Sequence, residues 1–116
     1  MKERRIEKVK SLLQREISQI LLKEIEFPGS LVTVTGVSLT PDFSKAKVLI
    51  TVFPEQKEKD VLKKLKEESS FIRFTLGKKL TLKPIPKISF EIDEGAKNLY
   101  LIDKFSAQHE RKFGKD

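Results

Sequence analysis

The chain has 116 residues, a length typical of one domain, and 38% of them are hydrophobic, enough for a single packed core and too many for a disordered chain. Lys and Arg number 24 against 17 Asp and Glu, a formal net charge of +7, which points to a polyanionic partner, RNA or DNA before an anionic membrane. There is no cysteine, which excludes disulfides, thiolate catalysis and cysteine-rich zinc sites.

The basic start MKERRIEKVK is not followed by an apolar run of the kind a signal peptide has. No stretch holds the roughly 18 apolar residues that would span a bilayer. The expectation is a soluble, cytoplasmic protein without a membrane partner.

Residues 3–25 predict the first helix. Ile6, Val9, Leu13, Ile17, Ile20, Leu21 and Ile25 step by three and four and make one apolar stripe. Glu3 and Glu7 lie near its positive end. Pro28 and Gly29 stop it. The stripe suits packing on a sheet better than a coiled coil of three heptads.

Residues 31–40 and 44–53 predict two strands, joined by a turn at Pro41-Asp42. They are too close in sequence for a crossover, so they pair as an antiparallel hairpin. Val32 and Val34 have one parity and Val37 and Leu39 the other. A β-bulge at Gly36 returns all four to one face. In the second strand Ala46, Val48, Ile50 and Val52 face one way. Lys45, Lys47, Leu49, Thr51 and Phe53 face the other.

Pro54 ends that strand, and a charged loop leads to a second helix with Asp60 as N-cap or first-turn acid. Val61, Leu62 and Leu65 face inward. Glu68-Ser69-Ser70 then interrupts the stripe before a further helical run, Phe71 to Leu80. One long helix and two helices meeting at a bend both fit. The weak helix formers Ser69 and Ser70 favour the bend.

Ile72, Leu76 and Leu80 recur at helical spacing, whereas Ile88, Phe90 and Ile92 alternate as in a strand. The period changes across residues 83–86, and residues 86–93 predict the third strand. From Phe71 to Phe90 there is no acid, while Lys78, Lys79, Lys83 and Lys87 gather round the joint. The tail, 97–116, carries Leu99, Ile102 and Phe105 at helical spacing. It is expected as a short helix, or a partly disordered extension, on a domain of residues 1–96.

Catalysis has little to work with. His109 is the single histidine and sits in the polar tail, and no phosphate-binding glycine loop is present. The acidic pairs Glu67-Glu68 and Asp93-Glu94 read as solvated charge rather than an acid–base pair. No cofactor, metal or small-molecule substrate is expected.

The element order is that of an α+β, type II K-homology-like fold: α-β-β-α-bend-α-β, a three-stranded sheet with helices on one face, plus the tail helix. The GXXG loop that grips nucleic acid in an ordinary K-homology domain is missing. That leaves backbone and shape contacts from cations. The candidate RNA-binding residues are Lys45, Lys47, Arg73, Lys78, Lys79, Lys83 and Lys87. Arg4, Arg5 and Lys8 are offset by Glu3 and Glu7 and read as a solvated helix end with modest RNA potential.

Residues 32–37 (VTVTGV) and 42–48 (DFSKAKV), the series Phe71-Ile72-Arg73 with Leu76-Gly77-Lys78, and Pro86-Lys87-Ile88-Ser89-Phe90 with Asp93 resemble the ribosome-binding factor A family over nearly the whole chain. The resemblance implies the K-homology-like fold with a helix–bend–helix in place of GXXG. It also implies binding to the small (30S) ribosomal subunit during maturation of 16S rRNA, near the 5′-terminal helix, support of growth in the cold, and no enzymatic activity. The family's bend falls on Glu68-Ser69-Ser70, with serine where glycine is common. Lys83 stands where arginine is often found, which keeps the charge and loses the planar fork. A monomer is expected, because the apolar stripes are needed by one core. The alternative is a protein-interaction module that docks through its tail helix.

Overall fold

The computed structural model describes residues 2–82 and 84–96, with backbone alone for Lys2 and Glu3. Lys83, the tail helix expected after residue 96, and the proposed boundary there all lie outside the described residues.

The elements run α1 (Lys2–Lys23), β1 (Leu31–Leu39), β2 (Lys45–Phe53), a single 3-10 turn (Glu55–Lys57), α2 (Glu58–Glu67), α3 (Ser69–Lys79) and β3 (Lys87–Ile92). Residues 94–96 add one helical turn. The sheet order is β1-β2-β3. β1 and β2 form the expected antiparallel hairpin, while β2 and β3 run parallel. A parallel neighbour requires a crossover, and α2 with α3 supplies it across one face of the sheet.

The core is that covered face. Leu13, Ile17, Ile20 and Leu21 of α1, Val48 and Ile50 of β2, Leu65 of α2, and Ile72 and Leu76 of α3 are all buried. Ile6 and Val9, at the outer end of the α1 stripe, are only half-buried.

The bulge is present, and it involves one more residue than parity alone shows. Val34 pairs with Ile50 and Gly36 with Leu49, so Thr35 is the extra residue and both Thr35 and Gly36 lie opposite Leu49. Val32, Val34, Val37 and Leu39 all pack against the core as a result. Gly36 is not required by space: a Cβ there would meet only Leu49 Cδ1 at an ordinary 3.9 Å.

The helical crossover breaks one residue earlier than expected. Glu68, not Ser69 or Ser70, leaves helical geometry, with φ −94° and ψ 7°. Its N–H still donates to the Lys64 carbonyl at 2.9 Å, and its own carbonyl accepts from the Ile72 N–H at 2.9 Å. The hydrogen-bond ladder therefore runs through the break. Ser69 and Ser70 form the first turn of α3, where small polar residues cost little. Asp60 lies in the first turn of α2, and the cap position is Lys57, without a side-chain cap bond.

These contacts set two expectations for urea denaturation. Leu65→Ala removes a fully buried side chain between sheet and crossover and should cost about 2–5 kcal/mol. Gly36→Ala should stay within about 0.5 kcal/mol of the parent despite the bulge. A loss of several kcal/mol at Gly36 would contradict this account of the bulge.

Candidate RNA-binding surface

The uncovered face of the sheet is divided along the strands. At one end lie Lys45 and Lys47 of β2 and Lys87 and Ser89 of β3, all exposed. At the other end Leu31 and Phe53 remain 64% and 54% exposed. They border an apolar hollow of about 500 Å³ that also takes in Thr33, Thr35, Thr51 and Ala96. Charge and concavity are thus at opposite ends of one face.

The parallel register makes Lys45 and Lys87 direct partners on neighbouring strands. Both are exposed on the same face, and no ion pair to either exists among the described residues. Like charges held side by side on paired strands are destabilising, so an anion docking there would relieve a cost built into the sheet. Lys47 differs. Its ammonium lies 2.7 Å from Glu91 Oε2, two half-exposed side chains in a diagonal pair. Lys47 therefore contributes less net positive charge than its exposure suggests.

Arg73 and Lys78 have local partners as well. One Arg73 Nη2 hydrogen donates to the Ile85 carbonyl at 3.0 Å, fastening α3 to the segment that enters β3. Positioning is thus the role the structure displays for Arg73, itself an exposed residue. Lys78 lies over the Phe74 ring, 4.5 Å from its centroid. Lys78 and Lys79 occupy the last turn of α3, which carries no acid anywhere along its length. There they complement the negative helix end, and neither has an ion pair among the described residues. Lys83 lies outside the described residues.

The fold brings a further group to this end. The loop between β1 and β2 abuts α1, where the Arg5 guanidinium lies 5.5 Å from the Phe43 ring centroid. Arg5, Val9 and Leu12 also line a groove with Leu80, Thr81 and Leu82, just past α3. The hairpin loop, the start of α1, the end of α3 and the start of β3 therefore converge. From the sequence, Arg5 has a place on a solvated helix end and a modest potential for RNA contact. Its place beside Phe43 depends on long-range packing that no local signal records.

The hairpin loop is held tightly for a surface loop. Asp42 accepts from the Ser44 hydroxyl at 2.7 Å, the Ser44 N–H at 3.0 Å and the Thr40 hydroxyl at 2.8 Å. These donors, the Ser44 hydroxyl foremost, lower its carboxyl to a pKa of about 2. Phe43 takes φ +62°, a left-handed conformation rare for a bulky residue. The contact with Arg5 engages the ring that this backbone projects.

Asp93 forms a second polar clasp. The Thr35 hydroxyl of the bulge donates to its Oδ2 at 2.6 Å, and the Ala96 N–H donates to its Oδ1 at 3.0 Å. Both lower its pKa, the Thr35 hydroxyl more. The Asp93 N–H in turn donates to the Ile50 carbonyl at 2.7 Å. The bulged residue of β1 is thereby tied across β2 to the end of β3.

The three-stranded sheet, the helices on one side and the helix–break–helix crossover define a K-homology-like α+β domain with cations gathered at one end. Comparison with known proteins narrows the class. The sequence profile of ribosome-binding factor A matches residues 5–105. Ribosome-binding factor A of Prochlorococcus marinus is 36% identical over 118 residues, covering 97% of this chain and 96% of its own. The crystal structure of ribosome-binding factor A from Thermus thermophilus superposes with a TM-score of 0.66 at 24% identity, over 72% of this chain and 90% of that one. Coordinates of a homology model of the Thermus thermophilus protein, fitted into a cryo-EM map of its 30S complex, match with a TM-score of 0.62 at 23% identity, over 71% of this chain and 88% of that one. The chain belongs to the ribosome-binding factor A family.

The Lys45–Lys87 pairing yields a prediction separate from binding. Lys87→Glu replaces a like-charge pair by an opposite-charge pair and should stabilise the fold by about 0.2–1 kcal/mol at low salt. Denaturation at low and at high salt checks this. A Lys87→Glu protein less stable than the parent would show that the two ammonium groups do not face one another.

Proposed function

We propose that this protein is a non-enzymatic assembly factor that binds the 30S ribosomal subunit and assists maturation of its 16S rRNA, near the 5′-terminal helix. Family membership supports the ribosomal role, and the relative fitted into a 30S map supports the choice of subunit. The observation that carries the RNA reading is the cationic end: Lys45 beside Lys87, with Lys78 and Lys79 uncompensated on the adjoining helix.

In this reading the end docks on phosphates of folded RNA, and shape supplies the selectivity. Helices α2 and α3 set where the α3 lysines stand relative to the sheet lysines. The broken crossover thus takes the place of a GXXG loop as the geometric element. Arg73 fixes α3 against residue 85, while Lys45, Lys78, Lys79, Lys83 and Lys87 hold phosphates and Lys47 contributes through its pair with Glu91. Arg5 joins them from α1. Docking of this kind stabilises one conformation of the rRNA and makes or breaks no bond. The protein works as a cytoplasmic monomer with residues 1–96 as the binding unit, needs no cofactor, and supports growth in the cold.

Co-sedimentation with 30S and 50S subunits across a salt series tests the reading. Binding should favour the 30S subunit. Contact with about six phosphates predicts a log–log salt slope of roughly −4 to −5. Equal retention on both subunits, or affinity that hardly changes with salt, would count against it.

A further inference from the structure

The outer face of α3 holds two aromatic rings that the core does not use. Ile72 and Leu76 point inward and are fully buried. Phe71 and Phe74 are 39% and 62% exposed and are absent from the core cluster and from the partly buried side chains packed against it. They stand three residues apart, on one side of the helix, and Lys78 follows Phe74 by one turn. The Lys78 ammonium lies 4.5 Å from the Phe74 ring centroid. Arg73 and Lys79 flank them, and the helix has no acid.

We propose that Phe74, with Phe71 beside it, is a stacking platform for an unpaired nucleobase, and that Lys78 holds the phosphate of the same nucleotide. This rests on the RNA reading above and specifies what part of the RNA this face takes. A nucleotide presents a flat π surface and an anionic group a few ångströms away. Lys78 covers one face of the Phe74 ring, so a base takes the other face, or takes this one as the ammonium swings off the ring to the phosphate. Only an unpaired base has its face available, since a helical RNA presents phosphates, 2′-hydroxyls and base edges. Charge decides between occupants. An apolar protein surface seated on Phe71 and Phe74 would desolvate Arg73, Lys78 and Lys79 without neutralising them, whereas a nucleotide brings its own negative charge. The other exposed apolar pair, Leu31 and Phe53, lies at the far end of the sheet and borders a hollow without a cation among its lining residues.

The probes are a labelled ten-nucleotide oligoadenylate and a ten-base-pair RNA duplex, each titrated against the full chain. Phe74→Leu keeps an apolar, helix-forming side chain at an exposed position and removes the ring. It should weaken oligoadenylate binding by at least about 5-fold, leaving the salt slope and duplex affinity unchanged. Lys78→Gln should instead reduce the salt slope by close to one unit. Phe74→Tyr should restore oligoadenylate affinity, which a role confined to helix packing would not require. The chain has no tryptophan and one tyrosine, so Phe74→Trp creates a single tryptophan, on the platform, that can be excited selectively, and oligoadenylate should quench it while duplex does not. Oligoadenylate affinity within two-fold of the parent for Phe74→Leu, or an equal loss on both probes, overturns the platform. So does a Phe74→Leu protein that binds RNA normally yet loses the 30S subunit, because this face would then meet a ribosomal protein. If the parent binds neither probe at low salt, the RNA reading itself fails, and the platform with it.

Discussion

Strand β2 is the constraint on which the rest depends. It pairs antiparallel with β1 through a short hairpin and parallel with β3 through a long crossover. Its inward parity, Ala46, Val48, Ile50 and Val52, is buried throughout. That parity fixes which side α1, α2 and α3 must cover, and so which side stays open. The parallel pairing has a second effect. It returns the chain from the end of α3 to the beginning of β3, next to the beginning of β2. Lys87 therefore arrives beside Lys45, and the last turn of α3 arrives at the same end of the molecule.

The result is a domain whose stability and charge pull in different directions. Two lysines face each other across a strand pair, and Arg4 and Arg5 lie near the positive end of α1, where cations are disfavoured. A sequence under selection for stability alone would place acids at these positions. On α2, by contrast, Glu58, Asp60 and Glu67 accompany the lysines, and Lys64 is within 3.8 Å of Glu68. The asymmetry between the two ends is what gives the net charge a direction. The clasps at Asp42 and Asp93 stiffen the loop and the sheet end nearby, so the cations are presented from a defined scaffold.

Much of this was legible before any coordinates. Alternation in β2 separated buried valines and isoleucine from outward lysines, and the parity change in β1 called for a bulge. Period-four spacing gave the buried stripe of α3. What the pattern could not carry was pairing between distant strands. The spacing of residues 86–93 announces a strand but not its parallel neighbour, so the Lys45–Lys87 pairing and the Lys47–Glu91 ion pair were invisible. The Arg73 bond to the Ile85 carbonyl and the packing of Arg5 on Phe43 were hidden for the same reason. The break in the crossover was expected at Ser69-Ser70 from propensity. It falls at Glu68, because only one residue has to leave helical geometry while the ladder on both sides stays bonded.

The central claim is that position, not net charge, makes one end of the domain the RNA-binding surface. Two double variants with the same change in net charge test it most directly: Lys78→Glu with Lys79→Glu at the end of α3, and Lys63→Glu with Lys66→Glu on α2, all at exposed positions. Both are compared with the parent by co-sedimentation with 30S subunits at one moderate salt concentration. The α3 variant should be lost from the subunit while the α2 variant is largely retained. Equal loss in both would reduce the interaction to nonspecific charge, and unchanged binding by the α3 variant would place the surface elsewhere.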